Sequence, residues 1–293
     1  MIDFSYEILD LLKKYDGNTD AALAGERDPK CLYAFSPLRE NLFEWVEFKK
    51  EDRVLQIGSD YGSCTGLLGA RAGQVVVLDS RDENLEVNRL RHQECKNIRY
   101  IRGELLDEPG VAEQKVWKEY KPQNGGSPEE AVSSARELMS QPFDYVLLPG
   151  GFEQVKKEAA WTLLEAASGH VKPGGFLMAP AENEAGVRYW MGAVPYETSF
   201  LEAELRQLFG ALCKRQGGSF LMYYPVPDYR YPITLYSDAY LPKTGDVLNV
   251  DARLEKPGFW FGNENEVMAK ACQNGEFTKF ANSFLGGWEK GSL

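Results

Sequence analysis

The chain has 293 residues, 43% of them hydrophobic and 26% charged, with a formal net charge of −11. That length buries a substantial core as one large domain with appendages. The acidic balance, with no cluster of Lys and Arg, disfavours both a nucleic-acid backbone as the main partner and an anionic membrane surface, so no nucleic-acid partner is expected.

The first seventeen residues, MIDFSYEILDLLKKYDG, read as an amphipathic helix from Ile2 to Tyr15, ended by Asp16-Gly17-Asn18. They lack the basic and apolar regions of a signal peptide. A polar stretch runs to Lys30. Ser36-Pro37 opens a second helix, with serine as cap and proline in the first turn, that ends near Trp45. Cys31, Cys64, Cys95, Cys213 and Cys272 form no C-x-x-C pair, so neither a disulfide framework nor a zinc site is indicated, and a reduced cytoplasmic setting is expected. No apolar run approaches the ~20 residues of a membrane span.

From Arg53 to Asp79 the sequence gives an apolar strand (Val54 to Ile57), a glycine-bearing turn, a short helix, a second apolar strand (Val75 to Leu78) and an acid at that strand's end. This is the first half of a nucleotide-binding α/β unit. Gly58 and Gly62 allow a sharp turn and close approach to a ligand. Asp79, at the carboxyl edge of its strand, is placed to accept hydrogen bonds from ribose hydroxyls. A dinucleotide is disfavoured, because Asp60 stands where the G-x-G-x-x-G fingerprint needs glycine and would repel a pyrophosphate. S-adenosylmethionine carries no phosphate and is cationic at sulfur and nitrogen, so an acid in the turn suits it.

Three further apolar runs follow: Ile98 to Ile101, leading to Gly103-Glu104; Phe143 to Leu148; and Val171 to Met178. A helix from Gln154 to Ala167, with Val155, Ala159, Leu163 and Ala166 at helical spacing, separates the last two. Alternating strands and helices predict a parallel sheet covered on both faces, with ligands at the carboxyl ends of its strands. Asp79, Glu104 and Pro149-Gly150 map to that edge. Asp107 to Gln141 is a long connection with a turn-rich centre and a capping box, Ser127-x-x-Glu130, that opens a helix to about Met139. It reads either as a lid above the site or as a surface insert. A capped helix (Ser199-x-x-Glu202) runs to Cys213, and a strand covers Ser219 to Tyr224. The tract YYPVPDYRYPITLY reads either as core and rim or as a sugar-stacking groove. A tail helix spans about Glu264 to Gln273 and precedes the apolar FANSFL.

The order IGSDYG, VVVLD, RGE, FDYVLLPGG and KPGGFLMAP resembles class I S-adenosylmethionine-dependent methyltransferases over roughly Phe35 to Tyr240. FSPLRENLFEW, AENEAGVRYWMGA and YYPVPDYRYPITLYSDAYLP resemble a narrower bacterial group found in surface-glycan and polysaccharide assembly proteins. The resemblance implies a Rossmann-like, mostly parallel sheet of about seven strands with helices on both faces. It implies an N-terminal helical cap (1–50), a methyltransferase-like domain (51–240, with an insertion at 107–142) and a C-terminal extension (241–293) packed on it. The expected activity is methyl transfer from S-adenosylmethionine to a small molecule or glycan, at oxygen. The alternative is a catalytically silent binding or scaffold module in surface-glycan assembly. On either reading a homodimer, or fusion to a larger glycan-assembly protein, is an expected arrangement.

On this reading Gln56, Gly58, Asp60, Tyr61, Gly62, Asp79 and Ser80 hold the cofactor. Gly103, Glu104 and Leu105 flank its adenine, and Pro149-Gly150 borders it. Gln56 stands where the family usually has an acid, and Asp60 replaces the middle glycine of its turn. Glu153 and Glu182, after the fourth and fifth apolar strands, are the candidate bases, with Tyr189 and Trp190 following on a short helix. His92 is expected far from the site and His170 on the opposite edge, so neither a histidine base nor a metal ligand is expected.

Overall fold

The computed structural model describes residues 5–106, 116–121, 127–153, 155–194, 198–247 and 261–292. Ten strands form one sheet: β1 (Arg53–Ile57), β2 (Gln74–Asp79), β3 (Ile98–Arg102), β4 (Lys118–Glu119), β5 (Phe143–Leu147), β6 (Val171–Asn183), β7 (Ser199–Phe200), β8 (Ser219–Val226), β9 (Thr234–Ser237) and β10 (Ser283–Glu289). Their order is β4-β3-β2-β1-β5-β6-β10-β8-β9, with β7 beside β6. The expected α/β sheet is present, with ten strands rather than about seven.

The inner strands are parallel: Val54 pairs with Val75 of β2 on one side and Tyr145 of β5 on the other. Their central residues, Val54 and Leu55, Val75 to Leu78, and Val146 and Leu147, are buried, as strands covered on both faces require. The β1/β5 boundary is the topological switch point, where connections lead away in opposite directions and a crevice opens beyond the carboxyl ends. β10 runs antiparallel between β6 and β8, with Leu285 facing Pro180 and Tyr223. Its glycines allow this: a Cβ on Gly286 would lie 2.1 Å from the Phe209 ring.

Helices Pro128–Ser140, Ala160–Ser168, Glu202–Gln216 and Glu264–Gln273 cover one face around Val146, Leu177, Met222 and Trp288. Helices Thr65–Arg71 and Asp82–Arg91, with the 3-10 turn Pro37–Leu42, cover the inner strands of the other around Val75, Val77 and Leu85. The capping box at Ser127 is present: Ser127 N donates to Glu130 and Glu130 N to Ser127 Oγ. The helix it opens buries Ala135, Leu138 and Met139, so this part of the insertion covers the sheet. Residues 107–115 and 122–126 of the insertion lie outside the described residues.

Several expectations are corrected. The polar stretch before Lys30 contains a helix, Thr19–Gly25, capped by Asn18, and a second, Pro29–Phe35, starts at Asp28. Side-chain capping makes short helices from segments with no apolar period. The helix expected from Ser36 is a 3-10 turn. The box expected at Ser199 is displaced, because Ser199 and Phe200 pair with β6 and Glu204 instead accepts from Leu201 N. The helix expected from Gln154 starts at Ala160, after a 3-10 turn over Lys157–Ala159, and Gln154 itself is outside the described residues. Tyr224, Tyr229, Tyr231 and Tyr236 are all buried, so most of the aromatic tract is core and not an open groove.

Candidate cofactor and acceptor site

Among the described residues, the turn after β1 holds two of the three non-glycine residues at positive φ. Asp60 and Tyr61 sit consecutively at φ 46° and 55°, a left-handed conformation unusual for residues with a Cβ, flanked by Gly58 at 85° and Gly62 at 75°. Each such non-glycine residue costs about 1–2 kcal/mol, so surrounding bonds must fix it. Gln56 does most of this. Its fully buried amide donates to Gly58 O (3.0 Å) and Ser59 O (3.1 Å), and its oxygen accepts from Thr65 Oγ1 (2.8 Å). Asn88 donates to Ser59 Oγ and Thr65 Oγ1, and Arg91 to Tyr61 O and Ala34 O. Gln56 therefore shapes the turn from behind; its amide group is committed to the protein.

His92 is not remote from the site. Its Nε2 lies 2.9 Å from Gly62 O, directly under the turn. Burial, with the Arg91 charge beside it, pushes the imidazole down to about 4. The ring is neutral at pH 7 and acts as a prop.

Asp79 ends β2 with its carboxylate turned back to the same turn. Oδ2 accepts from Ser59 N (2.7 Å), Oδ1 from Arg81 N (2.9 Å), and Asn84 Nδ2 approaches both. Burial raises its pKa, partly offset by the Ser59 and Arg81 amides. The two Asn84 contacts, at 3.4 and 3.2 Å, are the longest of the four, so they are the ones a ligand hydroxyl would displace. Asp79 and Ser80 line a cavity of about 260 Å³ with Gly103, Glu104 and Leu105, floored by Ile57, Leu78, Leu106, Val155 and Leu163. A polar rim over an apolar floor is the arrangement a ribose and a flat base require. Five of the expected residues meet here. Pro149 and Gly150 form the buried turn after β5 and do not line this cavity.

Across the switch point lies a buried ionic network. Arg39 pairs with Asp60, Arg188 with Asp228, and Arg230 with both Glu153 and Glu182 through its two Nη atoms. Tyr189 Oη donates to Glu182 Oε2 (2.7 Å) and Tyr229 Oη donates to Glu153 Oε1. Asp228 also accepts from Arg230 N (2.8 Å) and Tyr231 N (3.1 Å), which fixes the turn carrying Arg230. Burial opposes ionisation of Asp228, but Arg188 and Arg230 outweigh it and hold the carboxyl below its usual range. Burial raises Glu153, opposed by Arg230 and reinforced by Glu182.

The two expected bases thus come together on one guanidinium, with different freedom. Both oxygens of the fully buried Glu182 are engaged, whereas Glu153 uses only Oε1 among the described residues. Asp60 is neutralised by Arg39 and also accepts from Ser63 Oγ (2.8 Å). Sequence reasoning missed Arg39, Asn84, Arg188, Asp228 and Arg230. They lie 21 to 77 residues from several of their partners, and no local pattern marks them, apart from the Asp228-x-Arg230 spacing inside an otherwise aromatic tract. Among the described residues no group of three or more His, Cys, Asp or Glu is arranged to hold a metal, and no helix is long and apolar enough to cross a membrane.

No protein-family model and no curated protein matches the chain. Solved structures of similar fold include the N-methyltransferase NodS of Bradyrhizobium japonicum WM9 with S-adenosyl-L-homocysteine, at 11% identity and TM-score 0.45, covering 98% of this chain and 99% of that one. A DhpI complex with the same thioether has 12% identity and TM-score 0.45, with 98% of both chains covered. An O-methyltransferase family protein from Burkholderia thailandensis has 11% identity and TM-score 0.49, covering 90% of this chain and 58% of that one.

Proposed function

We propose that the protein is an S-adenosylmethionine-dependent methyltransferase acting on a small molecule or glycan, with an oxygen as acceptor. The observation that carries this reading is the cavity at the ends of β1, β2 and β3, where a ribose-binding acid, a polar backbone rim and an apolar floor converge beside a left-handed turn. The residues fit the adenosine half: Asp79 and Ser80 for the ribose, Gly103 to Leu105 along the base, Ile57 and Leu163 beneath it. Gly58 and Gly62 bring the turn's backbone close to the methionine half, with Tyr61 and the Pro149-Gly150 turn bordering it. Gln56 and Asp60 act through the turn they fix.

When bound, the cofactor supplies a methyl group on a sulfonium, which leaves as the sulfur takes back the bonding pair. The protein aligns the acceptor and receives its proton. Glu153 is the group for that proton: its affinity for protons is raised, and its Oε2 is the oxygen without a hydrogen bond among the described residues. Glu182 holds Arg230 and Tyr189 in place.

A second reading, a silent binding or scaffold module, draws on the same network, since Asp60, Glu182 and Gln56 are all committed internally. Calorimetric titration with S-adenosylmethionine and S-adenosylhomocysteine, with NAD as control, separates the two. The enzyme reading expects micromolar binding of the first two only, and Asp79→Ala should weaken it at least about tenfold, some 1.4 kcal/mol. Unchanged affinity in that variant would remove the cavity from the cofactor site.

A further inference from the structure

The ionic network has an uneven charge count. Among the described residues Arg39 pairs with Asp60, Arg188 with Asp228 and, at 4.0 Å, with Glu182, and Arg230 with Glu153 and Glu182, so three guanidinium groups face four carboxylates. One carboxylate is left over at the switch point, in a place where an uncompensated charge is expensive. The surplus can be assigned to one atom. Glu182 is 0% exposed and bonded at both oxygens, whereas the Glu153 side chain retains 10% exposure and both of its donors, Tyr229 Oη and Arg230 Nη2, converge on Oε1. That leaves Oε2, among the described residues, as an acceptor without a hydrogen bond on a side chain nine-tenths buried. It sits on the turn that leads, two residues later, to Val155 in the cavity wall.

We propose that Glu153 is a specificity-determining residue that recognises the sulfonium charge of the ligand, so that the protein favours S-adenosylmethionine over its neutral thioether product. The inference rests on the cofactor reading above. A sulfonium has no hydrogen to donate, so it needs charge without hydrogen-bond geometry, which an acceptor-only oxygen with no donor of its own supplies. Arg230 keeps the pair together and Glu182 limits how far Arg230 can neutralise Glu153. As the methyl leaves, the cation at sulfur disappears and the acceptor's proton becomes the positive charge. The same carboxylate can take that proton, so the charge at the switch point stays balanced while the product loses its hold.

The groups around Glu153 fix the pH behaviour. They are Arg230 and Tyr229 from the segment after β8, Glu182 from β6, Asp60 from the glycine turn, and Arg39 and Tyr33 from the N-terminal segment. Burial and Glu182 both favour the protonated acid, so the preference for the sulfonium should grow as pH rises and Glu153 ionises.

The test is parallel calorimetry of S-adenosylmethionine and S-adenosylhomocysteine with the intact chain and with Glu153→Gln, each from about pH 6 to 9. The intact chain should prefer the sulfonium compound by about tenfold at the alkaline end and less at the acid end. Glu153→Gln should bring the ratio near one at every pH while leaving thioether affinity within about twofold. A ratio near one in the intact chain at every pH overturns the proposal, even if the variant does not fold. Equal losses for both compounds in a folded variant also overturn it, because they would make Glu153 a structural support. If neither compound binds the intact chain, the cofactor reading itself fails and takes this inference with it.

Discussion

Asp79 spends its carboxylate on two backbone amides and Asn84 before any ligand arrives, so its replacement has a structural cost as well as a binding one. Asp79→Asn keeps the size but turns acceptors toward donors, and should destabilise the fold by about 1–3 kcal/mol in urea titrations. His92 makes a different prediction. Its folded pKa, pushed down to about 4, lies below the ordinary value of about 6.5. The unfolded chain therefore gains a proton that the folded chain refuses. The contribution of His92 is complete above pH ~6.5 and is lost as pH falls to ~4 and below, by about 3 kcal/mol. Comparing urea midpoints of the intact chain and His92→Gln at about pH 7.5 and about pH 5 should show a smaller acid loss in the variant. The identity of Asp79 as a strand-end acid was legible from sequence, because an apolar run followed by Asp is a local signal. The place of His92 was not: it lies 30 residues from Gly62, and only the packing of helix Asp82–Arg91 under the turn brings them together.

At the scale of elements, apolar runs located β1, β2, β3, β5, β6 and β8 to within a few residues, because strands buried on both faces announce themselves by composition. Short strands and capped short helices escaped. β4 and β7 are two residues each, and their sheet position comes from partners and not from their own sequence. The C-terminal apolar run was visible in sequence; its neighbours were not, since nothing local in FANSFL says that it pairs with β6 and β8. Its glycines carry a prediction. In Gly286→Ala the new methyl would meet the buried Phe209 ring at 2.1 Å. Overpacking of this kind costs about 1–3 kcal/mol. Thermal melting should detect the loss, and Phe209→Leu in the same chain should recover part of it by vacating space.

Across the whole molecule, the ionic network joins segments distant in sequence: the N-terminal stretch through Arg39, the first turn through Asp60, β6 through Glu182, and the segment after β8 through Arg230. Removing one partner from such a network strands buried charge, so Arg230→Ala should cost about 3–5 kcal/mol. The triple change Arg230→Met with Glu153→Gln and Glu182→Gln should be milder than Arg230→Ala alone, as equilibrium unfolding would show.

The position of β10 bears on how the chain assembles as it is made. β6 and β8 do not pair with each other; both ladders run through β10. A nascent chain that has emerged only as far as residue 282 therefore holds two partial sheets, each presenting an unpaired edge where the shared strand belongs. Such edges recruit other strands, so this intermediate is open to mispairing with neighbours until the central strand arrives and closes both edges together.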